Sequence, residues 1–157
     1  MAISKILNMK DCGGHFHGKH LKRALDYVMN PDKTQDGRLV GAINCQVDTA
    51  FEQMKETKRN FGKIDKRQGY HIILSFKENE VNPDTAFEIT QKFVEEYLGK
   101  SYEAVFVVHD NTAHVHSHIV FNSVSFVDGK KYRYEKGDWA KSVSYTHLRA
   151  HETTLHL

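Results

Sequence analysis

Cysteine is scarce in this chain: Cys12 and Cys45 are the two present, and they form no CxxC pair. A zinc site built on paired cysteines is thereby excluded. The run Cys12-x2-His15-x-His17-x2-His20 has a spacing that zinc could use. The Gly13-Gly14 flank and a helix beginning at His20 make a local four-ligand site awkward. Long apolar runs are missing too, none approaching the ~20 residues that span a membrane. The N-terminus alternates polar and apolar residues and carries no signal-peptide pattern, so a cytoplasmic protein is expected. No Gly-rich phosphate loop follows a strand, which argues against a doubly wound nucleotide-binding sheet. The formal charge of +2 is too small to argue for nucleic acid by itself. Local basic clusters do more: Lys19/Lys22/Arg23, Lys55/Lys58/Arg59, Lys63/Lys66/Arg67 and Lys130/Lys131/Arg133.

What the chain does have is histidine, eleven in 157 residues, four of them between Val105 and Val124. His114, His116 and His118 alternate ahead of an apolar run, a strand pattern in which residues i and i+2 share a face. Positions i and i+4 lie ~13 Å apart on a strand, so one ion cannot take all three. His109 ends the preceding apolar run. If Val105–His109 and Val115–Ser123 are antiparallel neighbours, His109 returns beside one of the two His pairs. Asn122 shares the parity of His116 and His118 and points to the same face.

The rest of the chain reads as interleaved strands and helices. Strands are expected at Ile3–Met9, Leu39–Asn44, Gly69–Phe76, Tyr102–His109 and His114–Phe126, with a hairpin turn at Asp128-Gly129 leading into Lys131–Tyr134. A helix over His20–Met29 puts Leu21, Leu25 and Val28 on one face and ends at Asn30-Pro31. A second begins at Asp48 with Thr49-x-x-Glu52 as a capping box and stops at Gly62. A third, capped through Asn82-Pro83, runs to Leu98 with Ala86, Ile89, Thr90, Phe93, Val94 and Tyr97 on its apolar face. The pentapeptide DTAFE opens both of these last two helices. The length suits one domain, and the central antiparallel pair points to an α+β sandwich.

The pattern His109-x6-His116-x-His118-x3-Asn122 resembles motif III of the relaxase/mobilisation nuclease family, the HUH endonucleases that nick plasmid or transposon DNA for transfer. LKRALDYVMNPDKT, Leu21 to Thr34, resembles the family's motif I, and GYHIILSF resembles motif II. The resemblance spans Ile3 to about Lys141. It implies a ferredoxin-like antiparallel core with helices packed on one face. It implies His109, His116 and His118 as ligands of a divalent ion, magnesium or manganese, with His114 as a non-ligand neighbour. Imidazole donors alone favour zinc, copper or nickel. Motif I places Tyr27 as the nucleophile, and motif II places Ser75 on the DNA backbone. Arg23, one turn before Tyr27, is positioned to hold a phosphate beside the phenol, and Asn122 is counted with Arg23 and Ser75 as a DNA contact. His20, two turns back from Tyr27, and His71, on the Ser75 face, are open between accessory and ordinary roles. Asp110 is a second-shell candidate only through its place after His109.

The activity implied is single-strand DNA nicking and rejoining at an origin of transfer, through a 5′-phosphotyrosyl enzyme, to start conjugative mobilisation with accessory mobilisation proteins. A rolling-circle replication initiator shares the metal site. In such initiators, however, the tyrosine follows the histidines, which here would mean Tyr132 or Tyr134. A non-enzymatic metal- or DNA-binding fragment is the third reading. The last residues call for discounting. Val143–Thr153, VSYTHLRAHET, matches the translation of a transposase-library sequencing adapter. On that reading the relaxase domain is residues 1–141, C-terminally truncated, and residues 142–157 are a non-native tail. His147, His151 and His156 are then not ligands.

Overall fold

The computed structural model describes residues 3–9 and 17–133. The Cys12/His15 spacing, Tyr134 and the 142–157 tail lie outside the described residues. In chain order the elements are β1 (Ile3–Met9), α1 (Lys19–Val28), β2 (Val40–Ile43), α2 (Ala50–Asn60), β3 (Gly69–Ser75), α3 (Pro83–Tyr97), β4 (Ala104–His109) and β5 (His116–Asn122). The five strands form one antiparallel sheet in the order β1-β3-β5-β4-β2. No helix among the described residues is long and apolar enough to cross a membrane.

The central strands are apolar on both faces, so both faces need cover. Ala104, Phe106, Val108, Ile119 and Phe121 pack with Ile72, Leu74 and the α3 residues Ala86, Ile89, Phe93 and Val94. On the opposite face Val105, Val107 and Val120 pack with Leu21, Leu25 and Val28 of α1 and with Ala50 and Met54 of α2. Helices therefore lie on both sides of the sheet, and the one-sided arrangement expected from the resemblance does not hold. The five valines and isoleucines of β4 and β5 leave no face that water could cover without exposing apolar surface.

Local chemistry explains the boundaries. Asn82 Oδ1 accepts from the Thr85 amide at 2.8 Å, and Pro83 starts α3 with the φ a helix needs. The capping box expected at α2 does not form. Thr49 Oγ1 donates to Gln53 Oε1 at 2.9 Å, the same oxygen takes the Gln46 amide at 2.7 Å, and a 3₁₀ turn over Val47–Thr49 precedes the helix. Gly69 at the head of β3 is required by close approach: a Cβ there would lie 2.8 Å from the Phe121 carbonyl oxygen and 2.9 Å from Leu21 Cδ1. The Asp128-Gly129 turn is present, with Gly129 at φ 73°. Among the described residues the strand expected after it shows a single bridge, Val124 to Lys131, and β5 is shorter than expected, leaving His114 outside it.

Candidate functional site

Register assembles the site. His109 pairs directly with His116 across β4 and β5, and His118 pairs with Val107. On the other side Ser75 faces His116 and Ile73 faces His118 across β3 and β5. Directly opposed residues share a face, so His71, Ser75, His109, His116 and His118 all project toward the side carrying α1. The His109 and His118 rings are 4.2 Å apart between centroids, and the His118 and His71 rings 5.0 Å. His71 Nε2 and His118 Nδ1 share a hydrogen bond of 2.8 Å.

Helix α1 delivers Tyr27 to this cluster from its last turn. Because Leu21, Leu25 and Val28 are buried against the sheet, Tyr27 sits on the rim of the packed stripe, 51% exposed. Its ring lies edge-on to His109 at 5.8 Å and to His118 at 6.3 Å. Lys33 Nζ stands 4.0 Å over the ring centroid, a cation–π contact. Lys33 belongs to the PDK 3₁₀ turn that follows the helix, whose cap Asn30 accepts from the Asp32 amide. Sequence reading missed Lys33; its one signal was its place in the turn closing the motif I run.

Burial disfavours the charged form of His71, His109 and His118. Desolvation pulls His118 down to about 3, with the His109, His71 and His116 rings adding repulsion, and pulls His71 down to about 4. His109 is lowered for the same first reason, opposed by its bond to Val28. That bond fixes a tautomer. His109 Nε2–H donates to the Val28 carbonyl at 2.9 Å, which leaves Nδ1 with the lone pair.

The remaining candidates are distributed as follows. Arg23 is exposed on α1, four residues before Tyr27. Ser75 is half-buried opposite His116. His20 lines a groove of about 370 Å³ with His71, Ala24 and β1 residues, so both stand beside the cluster. His114 is exposed in the turn before β5, its carbonyl held by Thr112. Asp110 is bonded to the Gln35 side chain, and the partner of His109 is the Val28 carbonyl, not Asp110. Asn122 shares the predicted parity, but a DNA contact is ruled out by burial. It is 0% exposed beneath α2, its Nδ2 donating to Met54 O and to Glu103 Oε1, both at 3.1 Å.

Among the described residues no three His, Cys, Asp or Glu side chains are arranged around one ion. The donor set nonetheless suits one in backbone position and protonation. Three imidazoles stand on one face of adjacent strands, and His109 and His118 are held neutral, as ligands must be. What a bound ion would change is ring orientation, since the His109 and His118 rings now lie tilted at 38° to each other.

A five-stranded antiparallel sheet carrying a tyrosine edge-on to a histidine cluster defines an α+β domain of the HUH type. The family model described as "Relaxase: MobA/VirD2-like, nuclease domain" matches residues 27–152, and the chain belongs to that family. Protein rlx of Staphylococcus aureus is 33% identical over 118 residues, covering 75% of this chain and 34% of that protein. A second protein rlx from the same species is 32% identical, covering 87% and 38%. The group II intron-interrupted relaxase LtrB of Lactococcus lactis subsp. cremoris is 28% identical over 146 residues, covering 76% and 25%. The chain thus spans between 25% and 38% of the length of these relatives. A solved structure reported under "Molecular Basis of Vancomycin Resistance Transfer in Staphylococcus aureus" superposes with a TM-score of 0.57 at 13% identity, over 96% of this chain and 88% of that one. It shares the fold.

Proposed function

We propose that this domain nicks and rejoins one strand of DNA at an origin of transfer, with Tyr27 as nucleophile. The observation that carries the reading is Tyr27 itself, a half-exposed phenol held edge-on to His109 and His118 by a helix whose other face is buried. The Tyr27 oxygen attacks the scissile phosphorus, the new O–P bond replaces the bond to the 3′ oxygen, and the phenolic proton ends on the released 3′-hydroxyl. The 5′-phosphotyrosyl ester retains the energy of the broken bond, so the reverse attack rejoins the strand. Lys33, over the ring, and Arg23, one turn back, place positive charge beside the incoming phosphate. His109, His116 and His118 are the residues that would hold a divalent ion, magnesium or manganese by family resemblance, and zinc by donor type. Such an ion, when bound, offsets charge on the non-bridging oxygens. His71, bonded to His118, fixes the orientation of that ring. Accessory mobilisation proteins belong to the same reading.

The replication-initiator alternative would need Tyr132 or Tyr134. Tyr132 is 8% exposed inside an aromatic cluster with Tyr70 and Phe121, closed to DNA. The test is incubation with single-stranded oligonucleotides tiled across transfer origins, with manganese present. A denaturant-resistant protein–DNA adduct mapping to Tyr27, and absent in Tyr27→Phe, is expected. An adduct that maps elsewhere, or that persists in Tyr27→Phe, overturns the assignment.

A further inference from the structure

At the other end of α1 from Tyr27 lies a cavity of about 220 Å³ between α1 and α2. At ~30 Å³ per water it has room for about seven waters, the bulk of one planar base. Leu21, Phe51 and Ile64 make apolar walls, and two polar side chains more than nine-tenths buried line it, Lys58 at 3% and Gln68 at 2% exposure. Gln68 spends its amide nitrogen on the carbonyls of Ile64 and Lys66, both at 2.9 Å. Its Oε1 remains toward Gly18, where an added Cβ would lie 3.9 Å away. The cavity therefore offers one acceptor, one ammonium donor and an aromatic wall. Exposed Lys55 and Arg59 stand at its edge, and Lys22 reaches over the Phe51 ring at 5.6 Å.

An apolar slot with a paired donor and acceptor, edged by cations, is the chemistry that takes a base out of a single strand: stacking on the ring, hydrogen bonds to the base edge, cations for the flanking phosphates. We infer that this cavity binds one unstacked nucleobase of the DNA strand whose scissile phosphate lies at Tyr27, a subsite that rests on the nicking reading above. Gly18 and Tyr27 are nine residues apart on the helix, about 13.5 Å along its axis. The captured base is therefore at most about four nucleotides from the nick at the ~3.4 Å rise of a stacked strand. Arg23 and Lys22 lie between the two points on the same helix. Burial draws the Lys58 ammonium down to about 7, with the Glu103 charge opposing, so near neutrality the side chain donates with little desolvation still to be lost.

The test compares binding of a fluorescent oligodeoxycytidine dodecamer with that of an abasic dodecamer of the same backbone, by anisotropy at fixed salt. The wild-type chain is expected to prefer the intact strand. Ile64→Trp, which fills the cavity from a position 46% exposed, and Lys58→Met, which removes the donor, should each weaken the intact strand roughly 5- to 100-fold. Neither should change the abasic strand. Equal affinity of wild type for both strands overturns the inference, as does a loss that is proportionate on both or absent from both variants. The nicking reading fails separately, when base-dependent binding behaves as expected and no Tyr27 adduct forms. If adducts form and the variants bind as wild type, the base subsite alone falls.

Discussion

The histidines that matter are those that share one face of the adjacent strands β3, β4 and β5, and this makes a graded prediction. His109→Ala, His116→Ala and His118→Ala should each weaken manganese binding more than about 100-fold in calorimetric titration. His71→Gln should cost roughly 10- to 100-fold, because it releases the ring of His118. His114→Ala, exposed in the turn, should leave affinity within about threefold, which lies inside the scatter expected for a remote surface change. Loss of binding in His114→Ala with His109→Ala intact would mean a different triad. Residue chemistry also explains Asn122. Its parity was legible, yet a shared face says nothing about what lies over that face, and α2 covers it. Its Oδ1 lacks a partner altogether, as does Ser123 Oγ, so two buried polar oxygens at this end of β5 go unsatisfied beside Glu103. Glu103 is raised by desolvation, against hydrogen bonds from Thr57 and Asn122. None of that network has a signature in residue spacing.

At the scale of elements, the two copies of DTAFE separate what a motif encodes from what its flanks add. The second copy sits wholly within the first turns of α3, because Asn82 accepts from Thr85 N. The first is split between a 3₁₀ turn and α2, because Gln53 takes both the Gln46 amide and the Thr49 hydroxyl. Asn82→Ala should therefore cost about 1 kcal/mol of stability in urea denaturation, the usual worth of an N-cap. Thr49→Ala should cost less than about 0.5 kcal/mol, since it removes only an exposed side-chain bond. Equal losses at the two positions would show that Thr49 caps after all. Helix α3 matters to the site indirectly. Thr90 Oγ1 donates to Ser117 Oγ at 2.6 Å, from the far face of the sheet, between His116 and His118 on β5.

For the whole molecule the histidine cluster makes stability depend on acid. An unfolded histidine titrates near ~6.5, whereas folded His71 and His118 are held at about 4 and about 3. Between those values the unfolded chain binds more protons, so stability rises with pH there. In the metal-free protein the contribution is complete above ~6.5 and declines as pH falls, until His118 itself protonates. The melting temperature should be flat above pH ~7 and fall by several degrees toward pH ~5, before most carboxylates titrate. A His71→Gln, His118→Gln double variant should flatten that slope; an unchanged slope would place the acid sensitivity elsewhere.

What the sequence determined by itself is local and periodic: the alternation in β3 and at the start of β5, the apolar run of β4, the 3.6-residue stripe of α1, the Asn82-Pro83 start of α3, and a histidine spacing that only an antiparallel pair can use. Those follow from backbone geometry repeated over neighbouring residues. The tertiary structure decided what packs over each face. It brought His71 to His118, Lys33 over Tyr27 and the Val28 carbonyl to His109, buried Asn122 beneath α2, and divided the helices between both sides of the sheet. Each of these joins residues far apart in the chain or across a turn whose path only packing sets, because closing such contacts depends on apolar surface finding cover rather than on any spacing along the chain.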